Sequence, residues 1–478
     1  MSALTLQSAV AQAPAPAKVA ATPPMGWNSW DSYGLTITED QFRANVKVLS
    51  SDLKKFGWTY AVIDEGWFFF NPEDRPRPDT LVYAIDTNGR YVPVPARFPS
   101  AGVAAPKQPT QQLTSAPGTA SSAGTKSLLY TTEDTSFKAL ADYVHSLGLK
   151  FGIHIVRGIP RVSVQKNLPI ANSAFHAADA ADTTDACPWD PTNWGVQNNP
   201  AGQAWYDSLL TQYAAWGVDL IKVDCIADHP YKIDEIRMIR RAIDKAGRPM
   251  VLSLSPGPTS LDHAAEVAAE AQMWRISEDF WDVWNNASGR AFPQSLFGQF
   301  AKVAAWAPFT KPGNWPDADM LPIGELRPIP GDGQPRTTRL TPTEQQTLLT
   351  LWSMARSPLI LGANLTLLDD PTLKLLTNPD VIRIDQTATR SGQVMHDGDI
   401  IVWTADLPPD SPDGSIALAL FNAGDSQVVV NSSFVVYGLD DATYRVKDAW
   451  TGKNLGKLKS VSGLTLEPHA ATLWLLKK

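Results

Sequence analysis

The sequence is poor in the residues that bind metals. It contains two cysteines, Cys187 and Cys225, and seven dispersed histidines among its 478 residues, with no His-x-x-x-His or comparable cluster. Two separated cysteines without a nearby histidine pair do not make a zinc spacing, so we expect no metal site. If the protein is exported, the same two cysteines could instead form a disulfide.

Long apolar runs and basic clusters are also absent. No stretch of about 18 apolar residues occurs, so we expect no membrane-spanning segment. Acidic residues outnumber basic residues by 49 to 41, for a formal net charge of −8, and the lack of a basic stripe argues against a nucleic-acid partner. Hydrophobic residues make up 44% of the chain and charged residues 19%, so a large core can form and global disorder is excluded.

Tryptophan, by contrast, is unusually frequent, with 17 residues against 16 phenylalanines and 11 tyrosines. A flat aromatic ring can cover the C–H face of a sugar while polar groups around it bond the hydroxyls. For any single tryptophan, packing in a large core is the simpler interpretation. The composition therefore allows a carbohydrate-binding protein without requiring one.

Residues 1–21 are rich in alanine, and the Ala-x-Ala steps at 9–11 and 11–13 are typical of signal-peptidase sites. The basic start and the long apolar run of a full signal are missing. We interpret the segment as the remnant of a secretion signal, with a disordered Ala/Pro tail as the alternative. A secreted or periplasmic protein is the corresponding expectation.

Residues 22–390 alternate between strand-like and helix-like segments, which predicts parallel βα units. Thr38 and Gln41 form a capping box, apolar residues follow at helical spacing as far as Phe56, and Gly57 ends the predicted helix. The clearest strands are predicted at 60–63, 150–155, 218–223, 250–254, 273–276 and 358–361. About eight units result, the number in a (β/α)8 TIM barrel. A doubly wound open sheet is the alternative, but no Gly-rich dinucleotide fingerprint follows any strand.

Two insertions interrupt the predicted barrel, at 71–130 and 157–200. The first includes a Pro/Ser/Thr/Ala-rich run at 101–126 that we expect to be a mobile loop. Both insertions follow strands, on the face where barrels hold their active sites. At 391–478 the helical period disappears and short strands alternate with Gly, Asn and Asp turns, which predicts a small antiparallel β-sandwich.

Acidic residues occupy the carboxyl ends of three predicted strands, where barrel enzymes place their chemistry. They are Asp64 with Glu65, Asp224, and Glu278 with Asp279. Lys222 lies two positions before Asp224 and therefore points the same way, and Arg275 lies four positions before Asp279. Glycoside hydrolysis needs one ionised carboxylate and a second carboxyl on opposite sides of the anomeric carbon. Since a single acid at a loop start is ordinary helix-capping chemistry, the convergence of several is what favours this reaction.

Four separated motifs form an ordered set. They are Pro-Met-Gly-Trp-Asn-Ser-Trp at 24–30, Ile-Asp-Glu-Gly-Trp at 63–67, Lys-Val-Asp-Cys at 222–225, and Asn-Trp-Pro-Asp-Ala-Asp-Met-Leu at 314–321. The set resembles glycoside hydrolase family 27, the α-galactosidase and α-N-acetylgalactosaminidase family, over about residues 23–390, with a looser fit in the C-terminal sandwich. The resemblance implies a retaining (β/α)8 enzyme with an antiparallel C-terminal domain and no metal or other cofactor.

The resemblance also implies roles for individual residues. Asp224 would be the nucleophile and Asp279 the acid/base of a double displacement. The residues that would bind the sugar are Trp30, Asp64, Glu65, His154, Lys222, Ser255, Arg275, Asp319 and Met320. Because Cys225 matches a family cysteine just after the nucleophile, a Cys187–Cys225 disulfide is implied as well.

The sequence departs from the family pattern where specificity is set. The usual Asp-Asp pair, which takes O4 and O6 of the sugar, is Asp64-Glu65 here. The extra methylene of Glu65 would enter the space of the C6 hydroxymethyl of galactose, a group that β-L-arabinopyranose lacks. One methylene is worth only about 1–3 kcal/mol of discrimination, so it tilts a preference without excluding galactose. The loop at 254–258, which contains Ser255, matches neither specificity class, and His154 replaces the usual tyrosine.

Several aromatic and basic residues are candidates for further sugar contacts. We expect Trp30 and Trp67 to face the sugar, and Trp189, Trp284 and Trp315 to lie near the rim. In the second insertion, Arg157 is a candidate together with Trp189. Ordinary loop structure is the alternative for both.

We therefore expect a retaining exo-glycosidase that hydrolyses terminal α-D-galactosyl residues, with a β-L-arabinopyranosidase as the alternative within the family. The expected partner is a galactosyl- or arabinopyranosyl-containing oligosaccharide or polysaccharide, and the oligomeric state is left open. A non-catalytic carbohydrate-binding barrel is the alternative of another class, against which the presence of both catalytic acids argues. A metal-dependent barrel hydrolase is disfavoured by the scattered histidines.

Overall fold

Eight parallel strands form one curled sheet in this computed structural model, which describes residues 19–72, 82–102, 111–112, 128–131, 135–190, 192–327 and 334–478. The strands are β1 Met25–Asn28, β2 Tyr60–Ile63, β3 Lys150–Val156, β4 Leu220–Asp224, β5 Val251–Leu254, β6 Met273–Arg275, β7 Trp315–Asp317 and β8 Leu359–Leu361. Each strand from β1 to β6 pairs with the next one in the chain, and β1 also pairs with β8. Leu321 bridges Leu361 in parallel, just beyond β7, which closes the circle. The predicted TIM barrel is confirmed.

Helices surround the barrel, and local sequence signals set their ends. The longer ones are Glu39–Val48, Lys138–Ser146, Pro200–Trp216, Ile233–Ala246, Leu296–Trp306, Pro342–Ala355 and Pro379–Thr387, and the shorter ones are Trp30–Tyr33, Ala264–Glu270 and Asp370–Leu376. Thr341 and Glu344 form a complete capping box, with Pro342 in the first turn. Gly217 ends its helix in the left-handed region, at φ 88°.

The helix predicted at 38–56 forms over its whole length but changes type in its second half. Its α-helical part is Glu39–Val48, followed by a π-helical turn at Leu49–Leu53 and a 3₁₀ turn at Lys54–Phe56. The wider turn keeps both Leu49 and Leu53 fully buried. Gly57 ends the segment at φ 105°, as the sequence predicts.

Both insertions form small sheets beside the barrel. The first contributes strands Val82–Ile85, Gln111–Gln112 and Leu128–Thr131, and the second contributes Ile159–Pro160, Ala181–Ala186 and Asn193–Val196 with helices Arg161–Gln165 and Ala177–Ala180. Most of the run at 101–126, predicted to be a mobile loop, lies outside the described residues, as do residues 1–18 of the expected secretion-signal remnant. Within the described ranges, no helix has the length and apolar character needed to cross a membrane.

The C-terminal region is a β-sandwich packed on the barrel. Its strands are β9 Thr389–Asp397, β10 Ile400–Asp406, β11 Ile416–Asn422, β12 Val428–Ser433, β13 Tyr444–Asp448, β14 Asn454–Leu458, β15 Ser460–Leu466 and β16 Ala471–Lys477. Six of them form an antiparallel sheet in the order β9-β10-β11-β16-β13-β14, and β12 pairs with β15. The sequence predicted five of these strands and missed β9, β14 and β15.

Alternation along β11 explains how this sheet is buried on both faces. Leu418 and Leu420 pack in the sandwich core, whereas Ala419 and Phe421 belong to the core shared with the barrel. Phe421 meets Phe300 of a barrel helix with ring centroids 5.2 Å apart. The exact boundaries expected at 21 and 390 remain predictions.

Candidate active site

A cavity of about 270 Å³ lies at the carboxyl ends of the barrel strands and is lined by nine of the eleven residues predicted to bind or cleave a sugar. The nine are Trp30, Asp64, Glu65, Lys222, Asp224, Ser255, Asp279, Asp319 and Met320. The other two, His154 and Arg275, are 1% and 2% exposed and contact carboxylates of the lining. The fold therefore brings the whole predicted set together, although it leaves their individual roles to experiment.

Asp64 is held as an anion at the floor of the cavity. Its Oδ2 accepts hydrogen bonds from Nδ2 of Asn28 at 2.6 Å and from Nζ of Lys222 at 3.0 Å, and its Oδ1 accepts from the Glu65 N–H at 2.9 Å. Burial by itself would raise the pKa of Asp64, but Lys222, His154 and these hydrogen bonds together hold it well below its usual range. Asp64 in turn raises the pKa of Lys222, so both groups are charged at neutral pH.

Asp224, the last residue of β4, is also held in its ionised form. Its Oδ1 accepts the N–H of Cys225 at 2.8 Å, and its Oδ2 lies 3.6 Å from Nε2 of His154. Burial opposes ionisation, yet His154 and Lys222 lower the pKa of Asp224 below its usual value. An ionised carboxylate beside a cavity can act as a nucleophile toward a carbon of a bound substrate.

Arg275, the last residue of β6, joins two further carboxylates. Its guanidinium lies 2.7 Å from Oδ2 of Asp319 and 3.2 Å from Oδ1 of Asp279. The Asp319 carboxylate also accepts the N–H of Phe280 at 2.7 Å. Burial raises the pKa of Asp319, whereas Arg275 opposes that effect.

The backbone is strained at two of the strand ends. Cys225 and Asp319 both have positive φ, at 62° and 86°, a region that residues other than glycine seldom adopt. Cys225 follows the Asp224 carboxylate, and its disulfide to Cys187 ties β4 to the second insertion, with the Cα atoms 5.9 Å apart. This pairing is the one that the family resemblance implies. Backbone strain of this kind persists where the surrounding structure enforces it, often at functional sites.

Exposure divides the cavity into a floor and a mouth. Asp64, Glu65 and Asp319 are 2–4% exposed, whereas the Asp279 side chain is 43% exposed. Phe292, which also lines the cavity, is 46% exposed. A substrate would therefore enter past Asp279 and reach Asp64 last.

The sequence missed several residues that line the cavity: Asp31, His229, Phe280, Trp281 and Phe292. Asp31 directly follows the first family motif, at 24–30, and this position is the one sequence feature that could have indicated a place for Asp31 in the cavity. Burial, reinforced by Asp319, raises the pKa of the Asp31 carboxyl well above its usual value. Glu278 also lines the cavity; the sequence marked it as a strand-end acid but gave it no role.

Three tryptophans expected at the cavity or its rim lie elsewhere. Trp67 is fully buried among aromatic rings, including Phe68 and Trp216, and donates its indole N–H to the carbonyl of His154. Trp315 is also fully buried and donates its indole N–H to the carbonyl of Ala20. Trp284 stacks on His469, with ring centroids 3.9 Å apart, and does not line the cavity. Of the predicted group, only Trp30 and Trp189 line it.

Arg157, a candidate for sugar contact, is instead an internal support. It is 2% exposed, and its guanidinium binds Asp185, Glu235 and the carbonyl of Cys225. The disulfide and this ion-pair group together hold the second insertion against the end of β4. Ordinary structural support, the alternative stated for this residue, is the correct interpretation.

Comparison with known proteins agrees with this architecture. A family model described as alpha galactosidase A matches residues 192–387, and one for the alpha galactosidase C-terminal beta sandwich domain matches 397–476. A solved GH27 β-L-arabinopyranosidase from Geobacillus stearothermophilus is 39% identical, with a TM-score of 0.81 over 96% of this chain and 97% of its own. The α-galactosidases of Cyamopsis tetragonoloba and Cellvibrio japonicus are each 25% identical over 95% of this chain, covering 86% and 92% of theirs.

A TIM barrel with carboxylates and paired cations at its strand ends, followed by an antiparallel sandwich, defines a glycoside hydrolase of the α-galactosidase type. The identity over nearly the full length of a solved relative makes the assignment more specific. The chain belongs to glycoside hydrolase family 27.

Proposed function

We propose that the protein is a retaining exo-glycosidase acting on terminal pyranosides of galacto configuration, with Asp224 as nucleophile and Asp279 as acid/base. The observation that carries this proposal is the pairing of an ionised, partly buried Asp224 with a half-exposed Asp279 on one small cavity. The roles expected of the two residues from their position in the sequence are compatible with this environment. A cavity of about 270 Å³ suits a single terminal sugar better than the middle of a chain.

The reaction would proceed in two steps. Asp224 attacks the anomeric carbon to form a covalent glycosyl-enzyme, while Asp279 donates its proton to the departing glycosidic oxygen. In the second step Asp279 takes a proton from water, the water oxygen bonds to the anomeric carbon, and the Asp224 carboxylate is released. The product then has the anomeric configuration of the substrate.

The remaining predicted residues would hold the sugar. Asp64 and Lys222 present a fixed anion and a fixed cation at the floor, where they can accept from and donate to adjacent ring hydroxyls. Arg275 with Asp319 forms a second such pair beside Asp279. Trp30, on the cavity wall, offers an aromatic face to the apolar side of the ring.

Within this class we propose that β-L-arabinopyranosides are preferred and that α-D-galactosides are the second substrate. The preference is favoured by Glu65, which is 4% exposed and lies at the floor of the cavity beside Asp64. Its extra methylene enters the space that the C6 hydroxymethyl of galactose would need. The GH27 arabinopyranosidase at 39% identity supports this order, and a variant of that protein is known in complex with arabinose. Relatives named α-galactosidases, at 25% identity, support the second activity.

The mechanism and the preference are tested by two measurements on the purified protein. Proton NMR of the first product formed from an aryl glycoside should show retained configuration, and an inverted product would rule out the double displacement. Nitrophenyl β-L-arabinopyranoside and α-D-galactoside, assayed side by side, give the ratio of kcat/KM values that decides the preference. Asp224→Ala should abolish turnover of both substrates, whereas Asp262→Ala, at an exposed carboxylate outside the cavity, should not.

A further inference from the structure

Three aromatic side chains from three segments of the chain meet at the mouth of the cavity. Trp189 comes from the second insertion, His229 from the loop after β4, and Phe292 from the loop after β6. The rings of Trp189 and His229 lie 5.1 Å apart at 57°. Phe292 is 46% exposed, which is unusual for a phenylalanine beside a cavity.

Two of these aromatic residues are close to groups that flank Asp279. Nε2 of His229 lies 3.9 Å from Oε1 of Glu278, the neighbour of Asp279 in the chain. On the other side, the N–H of Gln294, two residues after Phe292, donates to the Asp279 carbonyl at 2.8 Å. Residues on both sides of Asp279 are therefore tied to the aromatic mouth.

The position of an acid/base tells where the leaving group sits. The acid must reach the glycosidic oxygen, so the sugar beyond that oxygen extends from the acid toward solvent. In this cavity Asp64 and Glu65 form a buried floor, whereas the side chains of His229, Asp279 and Phe292 are 45%, 43% and 46% exposed. The aromatic rings stand where the leaving group would emerge.

We propose that Trp189, His229 and Phe292 form a leaving-group subsite for a neutral pyranosyl unit, so that the natural substrate carries a sugar rather than a small alcohol beyond the cleaved bond. This inference rests on the proposed function. Aromatic rings bind the C–H faces of pyranoses and need no charge on the ligand. The acidic groups beside them, Asp228 and Glu278, would repel a uronic acid.

The second insertion is built to hold Trp189 in place. Trp189 packs against the cluster of Val156, Cys187 and Cys225, and the Cys187–Cys225 disulfide lies two residues away along the chain. A ring fixed before binding loses little conformational entropy when a sugar stacks on it. The insertion thus supplies a preformed wall of the subsite, in addition to its contacts with the barrel.

The test compares leaving groups rather than total activity. Wild type, Trp189→Ala and Phe292→Ala are assayed on a glycosyl fluoride, whose leaving group is a single atom, and on the same glycosyl unit linked to glucose. Comparing the ratio of the two kcat/KM values between proteins cancels the different reactivity of the two bonds. We expect the ratio of disaccharide to fluoride to fall at least tenfold in each variant.

Phe297→Ala is the matched control, since Phe297 is also 46% exposed and lies five residues from Phe292, outside the cavity. It should leave the ratio unchanged. An unchanged ratio in both Trp189→Ala and Phe292→Ala, or a parallel fall on both substrates, would overturn the proposal. If the wild-type protein cleaved a bond to glucuronic acid faster than a bond to glucose, the proposal that the subsite takes a neutral sugar would be overturned.

Failure of the proposed function can be told apart from failure of the subsite. If the wild-type protein hydrolyses neither the galactosyl nor the β-L-arabinopyranosyl fluoride, the proposed function fails. The subsite is then judged by saturation-transfer NMR with methyl α-D-glucopyranoside. Signals lost in Trp189→Ala but kept in Phe297→Ala would support the subsite, and no wild-type signal would exclude it.

Discussion

Lys222 on β4 and Asp64 after β2 form an ion pair of 3.0 Å at the floor of the cavity. Only 16% and 2% of their side chains are exposed. The two residues are 158 positions apart in the sequence. Breaking a buried pair leaves one charge without compensation, which is far more harmful than losing a surface pair. Lys222 and Asp64 therefore contribute to the stability of the barrel and also place two charged groups in the cavity.

Replacing Lys222 by methionine should destabilise the protein in a pH-dependent way. At neutral pH the uncompensated Asp64 carboxylate should cost about 3–5 kcal/mol of unfolding free energy. The low pKa of Asp64 in the native protein means that its stabilisation is present above its unfolded value of about 3.9 and is lost as pH falls through the folded value. In the variant Lys222 no longer opposes the effect of burial, so the pKa of Asp64 rises and the buried carboxyl takes up a proton between pH 7 and pH 4. The uncompensated charge is then removed, and the difference in stability from wild type should shrink over that range.

Urea unfolding of wild type and Lys222→Met at pH 7 and pH 4 checks this expectation. The control is Lys138→Met, which removes an exposed pair with Asp142 and should change stability by less than about 1 kcal/mol. Equal destabilisation of Lys222→Met at both pH values would show that its effect comes from packing rather than from charge. If Lys222 binds the sugar as proposed, the kcat/KM of Lys222→Met should also fall, by roughly 100-fold or more.

Shortening Glu65 to aspartate should move the substrate preference toward galactose. The change removes one methylene from the floor of the cavity and opens space for a C6 hydroxymethyl, an effect of about 1–3 kcal/mol, or roughly tenfold to a hundredfold in the ratio of kcat/KM values. Parallel assays of Glu65→Asp and wild type on both nitrophenyl glycosides measure it. A ratio that stays constant would contradict the steric explanation of the preference.

Replacing His154 by phenylalanine should shift the acid limb of the pH–rate profile upward. Burial disfavours the Asp224 anion, and His154, 3.6 Å away, is the largest of the groups that stabilise it. Without the imidazole the pKa of Asp224 rises, so the nucleophile is protonated at a higher pH and kcat/KM on the acid side falls.

The acid limb of kcat/KM for His154→Phe, measured against wild type, tests this role. His145→Phe serves as the control because His145 pairs with Asp219 outside the cavity and should leave the limb in place. If the limb of His154→Phe coincides with that of wild type, the imidazole does not hold Asp224 ionised.

Gly26→Ala should destabilise the barrel strongly. A Cβ at Gly26 would lie 2.3 Å from the carbonyl oxygen of Tyr60, its partner on β2, and backbone cannot move aside cheaply. We expect a loss of about 3 kcal/mol or more in urea unfolding. Gly392→Ala, where a Cβ meets nothing within 4 Å, should stay within about 0.5 kcal/mol of wild type; a similar loss in both would refute the packing argument.

The structure confirms the parts of the prediction that depend on short-range pattern. The capping box at Thr38, the helix stop at Gly57 and the alternation of βα units are local properties, and the barrel follows from repeating such units. The acids after β2, β4 and β6 could be placed on one face because parallel strands share a carboxyl end. The export signal and the domain boundaries stay predictions.

Only the tertiary structure decided the contacts between distant segments. Trp67 and Trp189 look alike in the sequence, yet Trp67 is enclosed by the rings of Phe68, Phe137 and Trp216, whereas Trp189 lines the mouth of the cavity. Arg157 likewise finds carboxylates rather than a sugar. The sequence by itself determined the class of fold and the positions of the strand-end carboxylates, because periodicity and strand ends are set residue by residue. The lining of the cavity was decided by three-dimensional packing. Whether a side chain is buried or faces the cavity depends on which loops pack around it, and those loops lie far apart in the chain.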